Sequence, residues 1–237
     1  IYNIGLKEVA RIKLAMEEVK SQVGFQDDMK AFIQSLRTDP KFYPTSGEAL
    51  LKEASFIAKK IDGKLPTLFG RLPRQPYGIE PVPAEIAPTY TAGRYSPAPI
   101  KSTRSGNYWV NLYNLPSRSL YTLEALTLHE AVPGHHLQMS LTQELENLPS
   151  LRRNLYVNAF GEGWGLYAES LGYEIGLYKD PYSRFGQLTY DMWRAIRLVV
   201  DTGMHYFDWS RQDAINYFLD NSAKTKQDVM NEVDRYI

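Results

Sequence analysis

The sequence predicts a mainly α-helical domain with a small β-sheet. Two observations point there, and a third places chemistry on the fold. Apolar residues recur at three- and four-residue spacing over most of the chain, as they do on the buried stripe of a helix. Only one short segment, Asn107 to Leu115, is dominated by β-branched and aromatic residues between a preceding Gly106 and a following Pro116. Three of the four histidines fall within Leu128-His129-Glu130-Ala131-Val132-Pro133-Gly134-His135-His136-Leu137-Gln138, at the far end of one helical pattern.

Taken in order, residues 1–63 read as a helical scaffold. Val9, Ile12, Met16 and Val19 line one face of a helix over Glu8–Val23. A second runs from Asp28 to Leu36 and ends at Thr38-Asp39-Pro40. Ser46 caps a third that reaches Ile61 and stops at Asp62-Gly63. Residues 64–106 change character. Eight of the 14 prolines lie between Pro66 and Pro99, which predicts extended chain with turns. Phe69, Tyr77, Tyr90 and Tyr95 are too apolar for a linker and predict an ordered segment lying on the helical body, with strand composition over 88–95.

Residues 107–237 hold the chemistry. The strand over 107–115 reads either as a core strand or as an edge strand. An edge strand would pair with an extended peptide, with Tyr108 and Asn111 as contacts to it. Ser119–Gln138 is the helix that carries the His-Glu cluster, packed by Leu120, Leu123, Leu126 and Leu128. Further helices are expected over 154–176 and 187–209. Ser210 caps the next, with Asp213 at its third position.

Neutral imidazole is the commonest zinc ligand, and a Glu beside it can act as a general base on water. His129-Glu130 opens the pattern H-E-x-x-H, but the fourth position after His129 is Pro133. On an unbroken helix His135 would sit roughly 240° around from His129, and His136 roughly 10 Å further along the axis. Pro133 and Gly134 break that geometry and predict a bulged helix that returns His135 to the face of His129, with His136 as the other possible ligand. Glu162 follows His135 by 27 residues (162 − 135), enough for a helix, a turn and a return, and supplies a third ligand. Glu169, seven residues on, lies near the same helix face and can accept from a ligating His. The expected cofactor is a single zinc ion. Further on, Arg194, Arg197, Asp201 and His205 are spaced three, four and four, one polar stripe on an apolar helix. Arg197 and Asp201 form a structural pair, or else Arg194 or Arg197 holds a substrate carboxylate while His205 donates to a developing oxyanion.

Composition narrows the rest. Lys plus Arg equals Asp plus Glu at 27 each, which gives no global attraction to nucleic acid. Cysteine is absent, so thiol nucleophiles and disulfides are excluded. No apolar run is long enough to span a membrane. The whole chain is expected to form one catalytic domain. It opens at Ile1 without Met, as a piece of a longer protein would.

The runs Tyr-Trp-Val-Asn at 108–111, the eleven-residue His cluster, Gly-Glu-Gly-Trp-Gly-Leu-Tyr-Ala-Glu at 161–169 and Arg-Leu-Val-Val-Asp-Thr-Gly-Met-His at 197–205 closely resemble the uncharacterised family catalogued as domain of unknown function 885. That family is similar to gluzincin metallopeptidases, especially the thermostable carboxypeptidase and oligopeptidase groups. The resemblance implies a multi-helix gluzincin-like fold with a small sheet at the active-site cleft, with Val132-Pro133 as an insertion and Glu162 and Glu169 as a matching Glu pair. It also implies a secreted, periplasmic or lipid-anchored bacterial protein that extends beyond both ends of this chain.

Two functions follow. In one, Glu130 is the general base of a zinc peptidase acting on short peptides. Arg194 or Arg197 then favours a carboxypeptidase or peptidyl-dipeptidase mode. In the other, the insertion has disabled the site and the chain is a metal-binding scaffold or peptide-binding protein. The presence of Glu130 favours the first, because a structural site needs no base.

Overall fold

A computed structural model of the protein describes residues 1–99 and 102–237. Helix accounts for 63% of it, with a small three-stranded sheet. Numbered along the chain, the helices are α1 (Tyr2–Gln22), α2 (Met29–Thr38), α3 (Gly47–Asp62), α4 (Leu123–Glu130), α5 (His135–Gln143), α6 (Ser150–Asn154), α7 (Asn158–Glu174), α8 (Pro181–Tyr206), α9 (Arg211–Asn221) and α10 (Lys226–Tyr236). The strands are β1 (Tyr77–Pro81), β2 (Gly93–Ser96) and β3 (Gly106–Val110).

The chain forms two compact units. The first comprises Ile1–Pro40 and Asp180–Ile237. In it α1 lays Val9, Ile12, Met16 and Val19 along α8, which contributes Met192, Ile196, Val199 and Val200. Gly5 lets the two helices approach: a Cβ there would meet Val199 Cγ2 at 2.7 Å and Leu198 Cβ at 2.9 Å. Asp28, Asp180 and Ser210 cap α2, α8 and α9 with their side chains, and Ser210 forms a full capping box with Asp213.

The second unit, Lys41–Lys179, holds α3 to α7 and the sheet. Helix α3 belongs here, although the sequence groups it with α1 and α2. The strand order is β1-β3-β2, with β1 parallel and β2 antiparallel to β3. The strand over 107–115 is therefore the central one: of the two alternatives, core strand holds and edge strand is corrected. It is also shorter than expected. Asn111 ends it by donating through its amide to the carbonyls of Ala87, Tyr90 and Thr91, and Asn114 then turns the chain at φ 55°. Tyr108 is fully buried and its hydroxyl accepts from Thr127. Neither Tyr108 nor Asn111 offers a surface to a peptide; both build the sheet and its connecting loop.

The helix expected over 119–138 is interrupted, not bulged. Helix α4 ends at Glu130, α5 starts at His135, and the Val132–Pro133 peptide between them is cis. Pro133 has no N–H to extend the helical ladder. Gly134 lies against the turn before it, where a Cβ would fall 1.8 Å from the His129 carbonyl oxygen, so only glycine fits.

Helix α4 is buried along nearly its whole length against α7. The glycines of α7 make that possible. A Cβ at Gly165 would meet His129 Cε1 at 2.5 Å, and one at Gly172 would meet Leu128 Cδ1 at 2.7 Å. Gly163, exposed on the opposite side, has nothing within 4 Å. These two glycines should respond to alanine in opposite directions. Gly163→Ala should stabilise by ~0.5–1 kcal/mol through helix propensity, raising Tm by a few degrees. Gly165→Ala should destabilise by ~1–3 kcal/mol through overpacking. Thermal unfolding followed by circular dichroism checks the signs.

Candidate metal centre

His129 occupies the last turn of α4, His135 the first position of α5, and Glu162 the second turn of α7. The interruption between α4 and α5 brings the two imidazoles edge-to-face with ring centroids 4.7 Å apart. Glu162 reaches both: Oε2 is 3.4 Å from His129 Nε2, and Oε1 is 3.7 Å from His135 Nε2. One ligand atom from each of the three lies within 4.8 Å of the other two. The histidines are buried, whereas the Glu162 side chain is 60% exposed, so the group opens to solvent on the α7 side.

A buried carboxylate supports this geometry. Glu169 is fully buried and meets His129 Nδ1 at 2.8 Å. With Nδ1 held against Glu169, Nε2 of His129 faces Glu162, the position from which a metal would displace its proton. Tyr178 fixes the same stretch by donating to the Glu169 carbonyl at 2.8 Å. Trp164 donates to the Pro133 carbonyl at 2.8 Å and so ties the α4–α5 interruption to α7.

Glu130, beside His129, is also buried. Its Oε2 accepts from the Tyr95 backbone N–H at 2.7 Å. Tyr95 is in β2, so the strand that borders the cluster is β2. Its ladder shows which way its backbone groups point. Asn111 N–H donates to the Ala92 carbonyl, and hydrogen-bonded pairs alternate along an antiparallel ladder. Ala92, Arg94 and Ser96 therefore pair with β3, while Gly93 and Tyr95 turn their backbone groups outward, toward Glu130.

The electrostatics favour a cation. Burial lowers His129, but hydrogen bonds to Glu162 and Glu169 and the charge of Glu130 more than offset it and raise its pKa to about 9. The group thus retains a proton among three carboxylates at neutral pH. The donor set of two imidazoles and a carboxylate, with a carboxylate behind one imidazole, suits zinc. His136 differs. Burial brings it down to about 4, and it stays neutral between the Tyr95 hydroxyl at 2.9 Å, Ser140 Oγ at 3.2 Å and the Tyr77 ring at 4.6 Å.

The structure thus gathers His129, Glu130, His135, Glu162 and Glu169 in the second unit. The α8 residues belong to the first. There the Arg197 guanidinium stacks over Trp193 and Tyr236, and Arg194 stacks over Tyr190 and Trp193. His205 meets the Tyr236 carbonyl at 3.0 Å and Asp201 at 3.6 Å, and its side chain is half exposed. No Arg197–Asp201 ion pair forms among the described residues.

Tyr156 escaped the sequence reading. Its hydroxyl bonds to Glu162 and rests on Gly161, where a Cβ would be 2.0 Å away. Burial, Glu162 and Glu130 push it up to about 12, with Arg94 acting in the opposite sense. The only sequence signal was the pair of glycines flanking Glu162.

These features define a two-histidine, one-carboxylate cluster on a mainly helical scaffold. The chain belongs to the family described as bacterial protein of unknown function (DUF885), which it matches over residues 1–237. It is similar to a structure described as the putative lipoprotein from Colwellia psychrerythraea, with 35% identity and a TM-score of 0.95 over 99% of this chain and 41% of that one. It also resembles a structure from Shewanella oneidensis, described as a putative lipoprotein of unknown function. The identity there is 16% and the TM-score 0.78, over 99% of this chain and 45% of that one, a likeness of fold alone. This chain spans less than half the length of either structure. No curated protein matches it.

Tyr95→Phe removes the hydroxyl that meets His136. It should cost ~0.5–1.5 kcal/mol, the net worth of one hydrogen bond, because Ser140 remains as a partner. Urea unfolding of the variant against the parent measures the difference.

Proposed function

We propose that the cluster binds one zinc ion through His129, His135 and Glu162, and that the protein is a gluzincin-like peptidase acting on short peptides. The observation that carries this reading is the convergence of the three donor atoms with a fourth group, Glu130, held beside them by a strand. A structural site would need no such carboxylate and would usually close with four protein ligands. The lipoprotein description of the Colwellia psychrerythraea structure favours a secreted or lipid-anchored setting. No helix among the described residues is long and apolar enough to cross a membrane.

Zinc bound there would polarise the scissile carbonyl and acidify the attacking water. Glu130 takes the proton from that water and delivers it to the leaving amine. Glu169 keeps His129 in the tautomer whose Nε2 is free to bind. The outward backbone groups of β2 that Glu130 does not take, those of Gly93 and the Tyr95 carbonyl, pair with an extended peptide through main-chain hydrogen bonds, which read no side chain. The substrate strand expected at 107–115 is thereby reassigned to β2. The oxyanion role expected of His205 is not needed for these steps; within the second unit, Tyr156 bonds to the cluster's Glu162.

The test is a pair of substitutions at the two buried carboxylates. Glu130→Gln should retain one equivalent of zinc by mass spectrometry and lose at least ~100-fold in turnover of a short-peptide mixture. Glu169→Gln should weaken zinc binding ~10–100-fold in a chelator competition. Normal zinc content with no turnover by the parent protein would leave a metal-binding scaffold.

A further inference from the structure

Three carboxylates, Glu130, Glu162 and Glu169, surround the cluster. One dication does not neutralise three carboxylates, so a peptide that brings its own carboxylate there is repelled unless a further cation receives it. The arginines that the sequence suggests for this task, Arg194 and Arg197, stack on aromatic rings of the first unit. Within the second unit one arginine stands next to the cluster with its charge uncommitted.

Arg94 lies in β2, one residue before Tyr95, whose amide nitrogen is 2.7 Å from Glu130 Oε2. Side chains alternate across a strand. Tyr95 is buried against His136, so Arg94 leaves from the opposite face, and it is exposed. Its cross-strand partner is Trp109, a rigid apolar neighbour along which an arginine stem can lie. Among the described residues Arg94 makes no ion pair. Its charge is felt at the Tyr156 hydroxyl, which itself bonds to Glu162. Arg94 thus stands one residue from the strand contact that holds the base, on an exposed face of β2.

We propose that Arg94 receives a carboxylate of the peptide substrate and sets the preference for peptides that present one at the cleft. The planar fork of a guanidinium binds a carboxylate through two parallel hydrogen bonds, a geometry lysine cannot reproduce. That carboxylate comes from the free C-terminus or from an acidic side chain near the scissile bond. This inference rests on the peptidase reading above and names the substrate class of that site.

The test uses zinc-loaded Glu130→Gln protein, which binds without turning over, and isothermal calorimetry. Four peptides of one length are titrated: a free acid and its C-terminal amide, and an amide carrying an internal Glu or Gln. If the C-terminus is the source, the acid binds at least ~10-fold tighter than the amide, as for a hydrogen bond to a charged group. Arg94→Gln removes that ratio and Arg94→Lys keeps only part of it. If an acidic side chain is the source, the Glu/Gln ratio behaves in this way instead. Zinc content and Tm should not change in either variant, because Arg94 is exposed. Peptides that bind with both ratios unchanged in Arg94→Gln overturn the inference and leave the peptidase reading standing. Absence of binding by all four peptides, with no cleavage by the parent protein, overturns both.

Discussion

The contact between the His129 ring and Gly165 of α7 governs the second unit. The ring fills the space a side chain at 165 would take, and Glu169, one helical turn further, meets its Nδ1 at 2.8 Å. An isolated buried carboxylate would cost several kcal/mol, so Glu169 needs the imidazole as much as the imidazole needs it. The pairing in turn demands close helices. Gly172, two turns beyond Gly165, admits Leu128 and Tyr178 in the same manner. The apolar packing of α4 and the orientation of its histidine are thus one constraint.

The interruption after Glu130 obeys the same logic. A continuous helix would carry His135 away from His129. Pro133 stops the ladder, and Gly134 then lets the backbone fold directly onto the His129 carbonyl. The Trp164 indole holds the Pro133 carbonyl. Helix α7 therefore fixes both halves of the broken helix as well as supplying Glu162, and all three donors refer to one rigid element.

Some of this was legible in the sequence. The helices were, because a stripe of apolar residues at 3.6-residue spacing needs no knowledge of its partner. The His-Glu cluster was, because histidine is rare here and its spacing is restrictive. Strand β1 was not. Tyr77-Gly78-Ile79-Glu80-Pro81 lacks clean alternation and is stabilised by parallel pairing to a segment nearly thirty residues away. The central place of β3 was equally hidden, since the same residues suit an edge or a centre. The polar stripe of α8 shows the converse limit. Periodicity put Arg194, Arg197 and His205 on one face, but not the rings of Trp193 and Tyr236 that occupy the arginines. Nor could any residue pattern reveal the bond from Tyr95 to Glu130, because a backbone N–H leaves no signature in side-chain identity.

That backbone bond gives the proposed chemistry its alignment. Glu130 is the last residue of α4, where a side chain is held by few neighbours of its own helix. The Tyr95 N–H removes that freedom by fixing one carboxylate oxygen at 2.7 Å. The remaining outward groups of that row on β2, beginning with the Tyr95 carbonyl, are the ones a peptide backbone would join. A base and a substrate referred to one strand keep their mutual distance even if the strand shifts, which is what near-attack geometry requires. The broken helix moves His135 relative to His129 without disturbing this reference, since Glu130 precedes the break. An insertion that breaks the zincin spacing can therefore leave the proposed base and substrate aligned and alter only how the second imidazole arrives.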